Sequence, residues 1–467
     1  MINNQTELEL PLALLSSLKG LPGYDESAFL AVHQSGEQVT SVRVNPLKWN
    51  SANGIMITGD DEQSLPETAL RPVPWTSNGY YIDKRPSFTF DPFFHAGAYY
   101  VQEASSMFLE QAMMQGTDLT KPLRVLDACA APGGKSTHLL SLLSPDSLLV
   151  SNEVIKARVN ILRDNLSKWG HANQVVTQSD PRFFSTLENY FDVIVVDAPC
   201  SGSGLFRKDE DAVAEWSEQH VILCAQRQQR ILADLLPALR PGGLLIYSTC
   251  SYSSEEDESI LHWLENEHEM RIVPLKTDPA WGVIPSGGGY RFWPNHTKGE
   301  GLFMAALEKT ADSAGNPWVK KTKKINRAGK TEREVAEKYL QVAGHELVIH
   351  QDRLLIWPES MVSDISVLVQ HLHLVVAGLD AGEIIRDKMI PSHSLALSPL
   401  LRKDWPSQPL DFEQAIRYLQ RRDPGFSPVR KGWQTVSYRD STIGWINALP
   451  GRINNYYPPE LRILKDL

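Results

Sequence analysis

Between Leu123 and Lys309, short β-branched or apolar runs alternate with longer stretches whose apolar residues recur every three or four positions. That alternation is how a parallel sheet flanked by helices reads. Strands are expected at 123–129 (LRVLDAC), 148–153 (LLVSNE), 174–178 (QVVTQ), 191–199 (FDVIVVDAP) and 243–249 (GLLIYST), with a late one near 302–308 (LFMAALE). Helices fill the gaps. One is expected from Val154 to Trp169, stopped by Gly170 as a C-cap. Another is expected to start at Ser254, where Glu255, Glu256 and Asp257 suit the positive end of a helix dipole. The prediction is an α/β domain of Rossmann type over residues 119–310.

The flanks are patterned differently. Residues 1–118 hold turn-rich stretches such as LRPVPWTSNG and an aromatic cluster, FDPFFHAGAYYVQ, and are expected to form an α+β domain of RNA-binding type. From 311 to 333 the chain turns polar and basic, with Gly315, Pro317 and Gly329 as breakers, as a linker does. Short strand-like runs separated by Pro and Gly turns follow, giving two small β-rich modules at 334–395 and 396–467. No internal repeat is visible.

Composition narrows the class. A chain of 467 residues is too long for one ordinary core, and about three domains is the natural prior. With 42% hydrophobic and 22% charged residues it has the balance of a soluble protein. It lacks the roughly 20 consecutive apolar residues of a membrane span, so no membrane association is expected. The first residues, MINNQTELELPLALL, carry Glu7 and Glu9 and no basic stretch; no cleaved signal is expected, and the cytoplasm is the expected compartment. The four cysteines, Cys129, Cys200, Cys224 and Cys250, show neither a C-x-x-C pair nor zinc-ligand spacing. Free thiols and no metal are predicted.

The net charge of −10 argues against a protein that coats a polyanion with its whole surface. Nucleic-acid contact must come from local patches. Two are present. Residues 320–333 hold seven basic side chains (Lys320, Lys321, Lys323, Lys324, Arg327, Lys330, Arg333) against one acidic. Residues 411–467 hold nine Lys and Arg against six Asp and Glu, and interleave Arg417, Arg421, Arg422, Arg430, Lys431 and Arg439 with Trp433, Tyr438, Trp445, Tyr456 and Tyr457. Those are phosphate-contacting and base-stacking types. The plainer alternative is a small β module with its aromatics in the core.

VLDACAAPGGKST combines a strand, a tight turn and a helix start, so backbone N–H groups at the turn are free for an anionic ligand group. A phosphate-cradling Walker loop needs glycine where Cys129 stands. A dinucleotide turn needs G-x-G-x-x-G, and only Gly133 and Gly134 are present. Downstream acids favour S-adenosylmethionine instead: Glu153, ending the second strand, can accept both ribose hydroxyls, and Asp180, after the third, is placed for the adenine edge.

DAPC (197–200) and STC (248–250) set Cys200 and Cys250 at the carboxyl ends of two predicted parallel strands, the edge where open α/β sheets bind ligands. Cys224, in a helical run, is expected to be a small buried hydrophobe. Two convergent thiols suit one difficult reaction. Carbon 5 of cytosine is a poor nucleophile until a thiolate adds at carbon 6. The adduct must then lose the carbon 5 proton and expel the thiol, which needs a base. Asp197 is placed to hydrogen-bond cytosine N3 and stabilise the charge that develops there. Nothing in the spacing ranks the two thiols, since DNA cytosine methyltransferases use a Pro-Cys cysteine as nucleophile.

The strings DACAAPGGKST, DAPCSGSG and YSTCSYSSEEDE closely resemble the Sun-type RNA 5-methylcytosine methyltransferases, and VQEASSM (101–107) resembles the segment preceding their catalytic domain. The likeness spans roughly residues 35–310. It implies a Rossmann-like class I methyltransferase domain, with Cys250 as nucleophile and Cys200 assisting product release. It further implies that Cys129, Ala130, Ala131, Pro132, Gly133, Gly134 and Lys135 form the cofactor loop, with Asp197 also facing the cofactor and Lys135 reaching the reaction centre. FRKD (206–209) also resembles the family and would lie toward RNA.

LHLVVAGLDAGEI (372–384) and WQTVSYRDSTIGWINALPGRINNYYPPELRI (433–463) resemble the PUA-like modules of bacterial small-subunit rRNA members of that family. The implied substrate is a cytosine of 16S rRNA near the decoding centre of the small ribosomal subunit, and a monomer is expected. Competing readings are a tRNA or DNA methyltransferase, a noncatalytic ribosome-assembly factor that binds RNA, and a P-loop-like NTPase.

Overall fold

In a computed structural model of the chain, residues 9–49, 70–311, 325–386, 388–427 and 430–466 are described, together with the backbone of 55–56 and 64–65. The centre is one large sheet. Its strands are β1 (Arg124–Asp127), β2 (Leu148–Asn152), β3 (Gln174–Thr177), β4 (Phe191–Asp197), β5 (Leu239–Thr249), β6 (Met270–Ile272), β7 (Ile284–Ser286), β8 (Gly289–Phe292), β9 (Leu302–Lys309) and β10 (Leu374–Ala377). They lie in the order β7-β8-β9-β5-β4-β1-β2-β3-β10, with β6 beside β9.

The five middle strands are parallel, and the order reverses at β1, which has β2 on one side and β4 on the other. Such a switch point opens a crevice at the carboxyl ends of the strands. The edges differ from a purely parallel expectation: β9 joins β5 antiparallel, and β10 joins β3 antiparallel. The middle strands can be near-continuous apolar runs because both faces are covered. On one face, Ile231, Leu232 and Leu235 of α3 (Glu218–Leu235) pack with Ile260, Leu261 and Leu264 of α4 (Glu258–Glu267). On the other lie Leu139 and Leu140 of α1 (Gly134–Leu142) and Val159, Leu162 and Leu166 of α2 (Lys156–Trp169). Helix α2 starts two residues later than the sequence pattern indicates, and ends on Gly170 in the left-handed conformation, φ 90°. Helix α4 starts at Glu258 rather than Ser254, which turns Glu256 inward.

Ahead of this sheet, Arg71–Pro72, Gly79–Ile82, Thr40–Val44 and Tyr99–Val101 form a four-stranded sheet. Helices Leu12–Ser17 and Glu26–Gln34 pack Leu14 and Phe29, with Leu18 just past the first helix, against Phe206, Trp216, Tyr252 and Trp293 of the central domain. Behind it lie two further four-stranded sheets, the first His345–His350, Arg353–Pro358, Leu379–Ile385 and Lys388–Pro391, the second Ser407–Leu410, Gly432–Tyr438, Ser441–Leu449 and Arg452–Asn455.

These flanks are not beads on a string. Strand β10, within the stretch expected to form a separate small module, extends the central sheet, and Arg124 Nε donates to Asp364 Oδ1 at 2.7 Å. Val42, Val44, Phe93 and Tyr99 from the first flank share one core with Tyr418, Val436, Ile446 and Tyr457 from the last. Of the basic run, Lys320, Lys321, Lys323 and Lys324 lie outside the described residues. Arg327 and Arg333 both pair with Glu346, and Lys330 lies 3.9 Å from Glu334.

Candidate active site

β1 ends at Asp127, and the chain turns through Ala128–Gly133 into α1. Gly133 stands at φ 113°, a conformation open to glycine at little cost, and no side chain caps the helix it begins. The turn is tied to its neighbours: Ala130 N donates to Asn152 O (2.9 Å), Arg158 NH2 to Ala131 O (2.7 Å) and Asn165 Nδ2 to Pro132 O (2.8 Å). The first turn of α1 carries four polar side chains, all buried. Ser136 Oγ donates to Asp127 Oδ2 at 2.6 Å and accepts from Ser151 Oγ at 2.9 Å, while Thr137 Oγ1 accepts from Arg43 at 2.6 Å. His138 Nε2 meets Glu110 Oε2 at 3.1 Å.

Asp127 was not among the sequence candidates. Its side chain is fully buried, Oδ1 has no hydrogen-bond partner, and burial pushes its carboxyl up to about 7 against the pull of Ser136. A strand-final acid directly before the glycine turn was the available signal. The neighbouring Cys129 thiol is pushed well up, by burial first and then by the charges of Asp127, Asp197 and Glu153. Glu153 is buried; Oε1 accepts from Ile155 N (2.9 Å) and Oε2 lies 3.3 Å from Arg158. Asp180 sits further out, half exposed, accepting from Arg182 N at 3.1 Å.

Next to this turn, β4 ends at Asp197. Its Oδ1 accepts from Ser248 Oγ on β5 (2.8 Å), and its Oδ2 lies 2.7 Å from Lys135 Nζ. Burial pulls the Lys135 ammonium down, but the charge and hydrogen bond of Asp197 more than offset that, so it is held above the usual lysine range. Beyond the two strand ends, Cys200 Sγ and Cys250 Sγ lie 3.0 Å apart. The Cys200 thiol is driven far above its usual range, first by the hydrogen bond to Cys250, then by burial and the nearby negative charges of Cys250 and Glu256.

The backbone around the second thiol is clamped. Gly204 N donates to Cys250 O at 2.9 Å, and a Cβ on Gly204 would come within 2.5 Å of Gly301 O and 2.9 Å of Cys250 O. Tyr252 N donates to Ser203 Oγ at 2.9 Å, and its ring stacks on Trp293 with centroids 5.0 Å apart. So Cys200, Cys250, Asp197 and Lys135 come together beside the 129–134 turn, with Glu153 behind it. Cys224 is buried in α3, as its helical setting predicts.

Three comparisons bear on what this constellation is. A model of the 16S rRNA methyltransferase RsmB/F matches residues 117–308, one of the N-terminal domain of 16S rRNA methyltransferase RsmF matches 10–104, and one of the methyltransferase RsmF PUA domain matches 407–463. Ribosomal RNA small subunit methyltransferase F of Aliivibrio salmonicida is 31% identical over 440 residues, covering 90% of this chain and 90% of that one. The chain belongs to the ribosomal RNA small subunit methyltransferase F family. The family member of Shewanella loihica is 29% identical over 446 residues, covering 90% of this chain and 88% of its own length. NSun6 from Pyrococcus horikoshii, 19% identical, shares the fold with a TM-score of 0.52 over 66% of this chain and 100% of its own. Membership makes the chain a methyltransferase of RNA-modifying type.

Within this family frame, two expectations about RNA-facing residues change. Arg207 of FRKD is a latch: its side chain is 5% exposed, donates to Gly299 O (3.2 Å) and lies 3.5 Å from Glu300, while Lys208 approaches the same carboxylate at 3.6 Å. Trp445, Tyr438 and Tyr457 are core residues, leaving Trp433 and Tyr456 partly exposed. Arg417 pairs with Glu413 (2.9 Å) and Arg422 with Asp466 (2.6 Å). Even so, Arg421, Arg422, Arg430, Lys431, Arg452 and Tyr456 line one groove of about 1340 Å³ in the last sheet's module. Among the described residues, no cluster of three or more His, Cys, Asp or Glu has metal-site geometry, and no helix is long and apolar enough to cross a membrane.

Proposed function

We propose that this protein methylates carbon 5 of a cytosine in 16S rRNA, near the decoding centre of the small ribosomal subunit, with S-adenosylmethionine as methyl donor and Cys250 as covalent nucleophile. One observation carries the reading: two thiols 3.0 Å apart beyond neighbouring strand ends, beside an Asp197–Lys135 pair. The small-subunit rRNA substrate is supported by the names of the relatives and by the PUA match over 407–463. The decoding-centre location rests on the likeness of the tail to family members acting there.

The residues around the glycine turn fit the cofactor. Asp127 offers a buried carboxylate oxygen without a partner, and Glu153 adds a second acid. Such a lining suits a ligand bearing an ammonium and a ribose, and repels a triphosphate. S-adenosylmethionine, when bound, supplies an electrophilic methyl group. The chain supplies the rest. Cys250 Sγ bonds to carbon 6, the C5–C6 electron pair shifts toward N3, and N3 takes up a proton relayed from the Lys135 ammonium through Asp197, whose carboxylate then accepts the N3–H hydrogen bond. Carbon 5, now nucleophilic, takes the methyl group as its bond to the sulfonium sulfur breaks, leaving S-adenosylhomocysteine. A base removes the carbon 5 proton, the S–C6 bond breaks, and the thiolate of Cys250 returns. Cys200, whose sulfur lies 3.0 Å from that of Cys250, assists this release.

The test is transfer of tritium from labelled S-adenosylmethionine to small subunits lacking the modification, followed by bisulfite mapping. Label at one cytosine of 16S rRNA is expected. Label only in tRNA, or at no cytosine, overturns the reading. Heat stabilisation by S-adenosylmethionine and not by ATP checks the cofactor.

A further inference from the structure

Glu256 is fully buried, and no cation pairs with it among the described residues. A lone buried carboxylate is costly unless every lone pair is satisfied. Here four donors surround it. Oε1 accepts from Ser201 N (2.8 Å) and Gln228 Nε2 (3.1 Å); Oε2 accepts from Ser201 Oγ (2.5 Å) and Ser251 Oγ (2.6 Å). Ser201 directly follows Cys200, and Ser251 directly follows Cys250. Gln228 Nε2 also reaches Pro199 O at 3.1 Å, the residue before Cys200. The far side of the residue is held too, since the Tyr247 hydroxyl donates to Glu256 O at 2.6 Å from within β5.

The two thiols lie 50 residues apart in the chain, and their loops are joined by the Gly204 N–Cys250 O bond (2.9 Å) beyond the first sulfur and by Ser201 Oγ and Ser251 Oγ at 3.3 Å. One carboxylate grips both immediately beyond the sulfur-bearing residues. We infer that Glu256 is a positioning residue that sets the spacing of Cys200 and Cys250, and so couples attack at carbon 6 to the later release of the methylated base. This rests on the two-thiol reading above.

The network makes glutamine a sharp substitution. With its oxygen toward Ser201 N and Gln228 Nε2, an amide at 256 turns its NH2 to the two serine hydroxyls, so Glu256→Gln removes the charge and reverses the direction of both serine bonds while keeping the volume. Full-length protein carrying Glu256→Gln is compared with wild type for single-turnover methyl transfer, KM for the RNA substrate, melting temperature, and the fraction of enzyme trapped on RNA in a denaturing gel. The expected result is a kcat lower by about tenfold to a hundredfold, an unchanged KM, and a higher trapped fraction, because release suffers more than attack. If Glu256→Gln does not fold, Ser201→Ala and Ser251→Ala each remove one hydroxyl and should shift the trapped fraction in the same direction.

Wild-type kcat and trapped fraction in the variants overturn the positioning role. So does a loss of rate that only tracks a lower melting temperature, with the trapped fraction unchanged. Cys250→Ala and Cys200→Ala run alongside separate the two layers. If Cys250→Ala still forms the adduct, the two-thiol reading itself fails. If the cysteine variants behave as expected and Glu256→Gln is silent, the inference alone fails.

Discussion

Lys135 Nζ and Asp197 Oδ2, 2.7 Å apart, join the first turn of α1 to the end of β4 across the switch point of the sheet. The pair links the cofactor turn to the thiol loops, so a change at either residue should be felt at both. Lys135→Met removes the counter-charge that holds Asp197. Methyl transfer should fall by about 10²–10³-fold, as when one preorganised electrostatic partner is lost. Asp197 is 39% exposed, so water partly replaces the lost partner and the cost in stability should be small. Single-turnover rates with melting curves check this; a rate within threefold of wild type, about 0.7 kcal/mol, would contradict it.

The thiols should separate by phenotype. Cys250→Ala is expected to abolish both methyl transfer and the covalent RNA complex. Cys200→Ala should retain attack and accumulate the complex, visible as a retarded band under denaturing conditions. Exchanged phenotypes would reverse the two roles.

Gly204 has no room for a side chain. A methyl group there would press on the backbone oxygens of Gly301 and Cys250, at 2.5 and 2.9 Å, neither of which is the end of a flexible side chain. Gly204→Ala should therefore shift the Cys250 loop and cost activity on the order of 10²-fold. Cofactor binding, built on β1 and β2, should persist. Calorimetric titration with S-adenosylmethionine distinguishes this from general unfolding, which would remove both.

Acid should weaken the fold through buried histidines. His33, His95 and His138 are each pushed down to about 4 by burial, so the folded state keeps them neutral while the unfolded state protonates near 6.5. The stability they contribute is full above pH 6.5 and is lost as pH falls toward 4. Asp127 runs the other way: raised to about 7, it contributes stability that is full below the usual carboxylate range and lost as pH rises through 7. His171 and His393, pushed down to about 4 and about 3 by burial, add to the histidine effect, while Asp164, Asp234, Asp257, Glu300 and Asp380, all raised by burial, join Asp127 in offsetting it; the histidine share predicts a melting temperature that drops below pH 6.5, by roughly 2–4 °C for each kcal/mol lost. His138→Gln keeps a donor for Glu110 and cannot be protonated, so it should flatten the slope. A flat wild-type profile from pH 6.5 to 4.5 would rule the account out.

Much of the site was readable from the chain because its chemistry is local. A glycine turn after a strand, an acid at the next strand end and two cysteines at later strand ends each sit within a few residues of a recognisable apolar run. What escaped was set by partners distant in sequence. Glu256 read as part of a helix start, and only Ser201 and Gln228, 55 and 28 residues away, reveal it as a clamp. Arg207 read as RNA-facing because Glu300, 93 residues on, is invisible to local patterning. Strand β10 read as part of a small separate module, since pairing with β3 leaves no mark on either strand's own sequence.

That last pairing has a consequence in time. β3 emerges roughly 200 residues before β10. At ordinary synthesis speeds its outer edge waits about 10–40 s for a partner. Through that interval the nascent domain presents an apolar strand with open backbone groups, the feature that invites mispairing with another chain. The central sheet is thus completed late in synthesis, by a segment that carries none of the candidate catalytic residues.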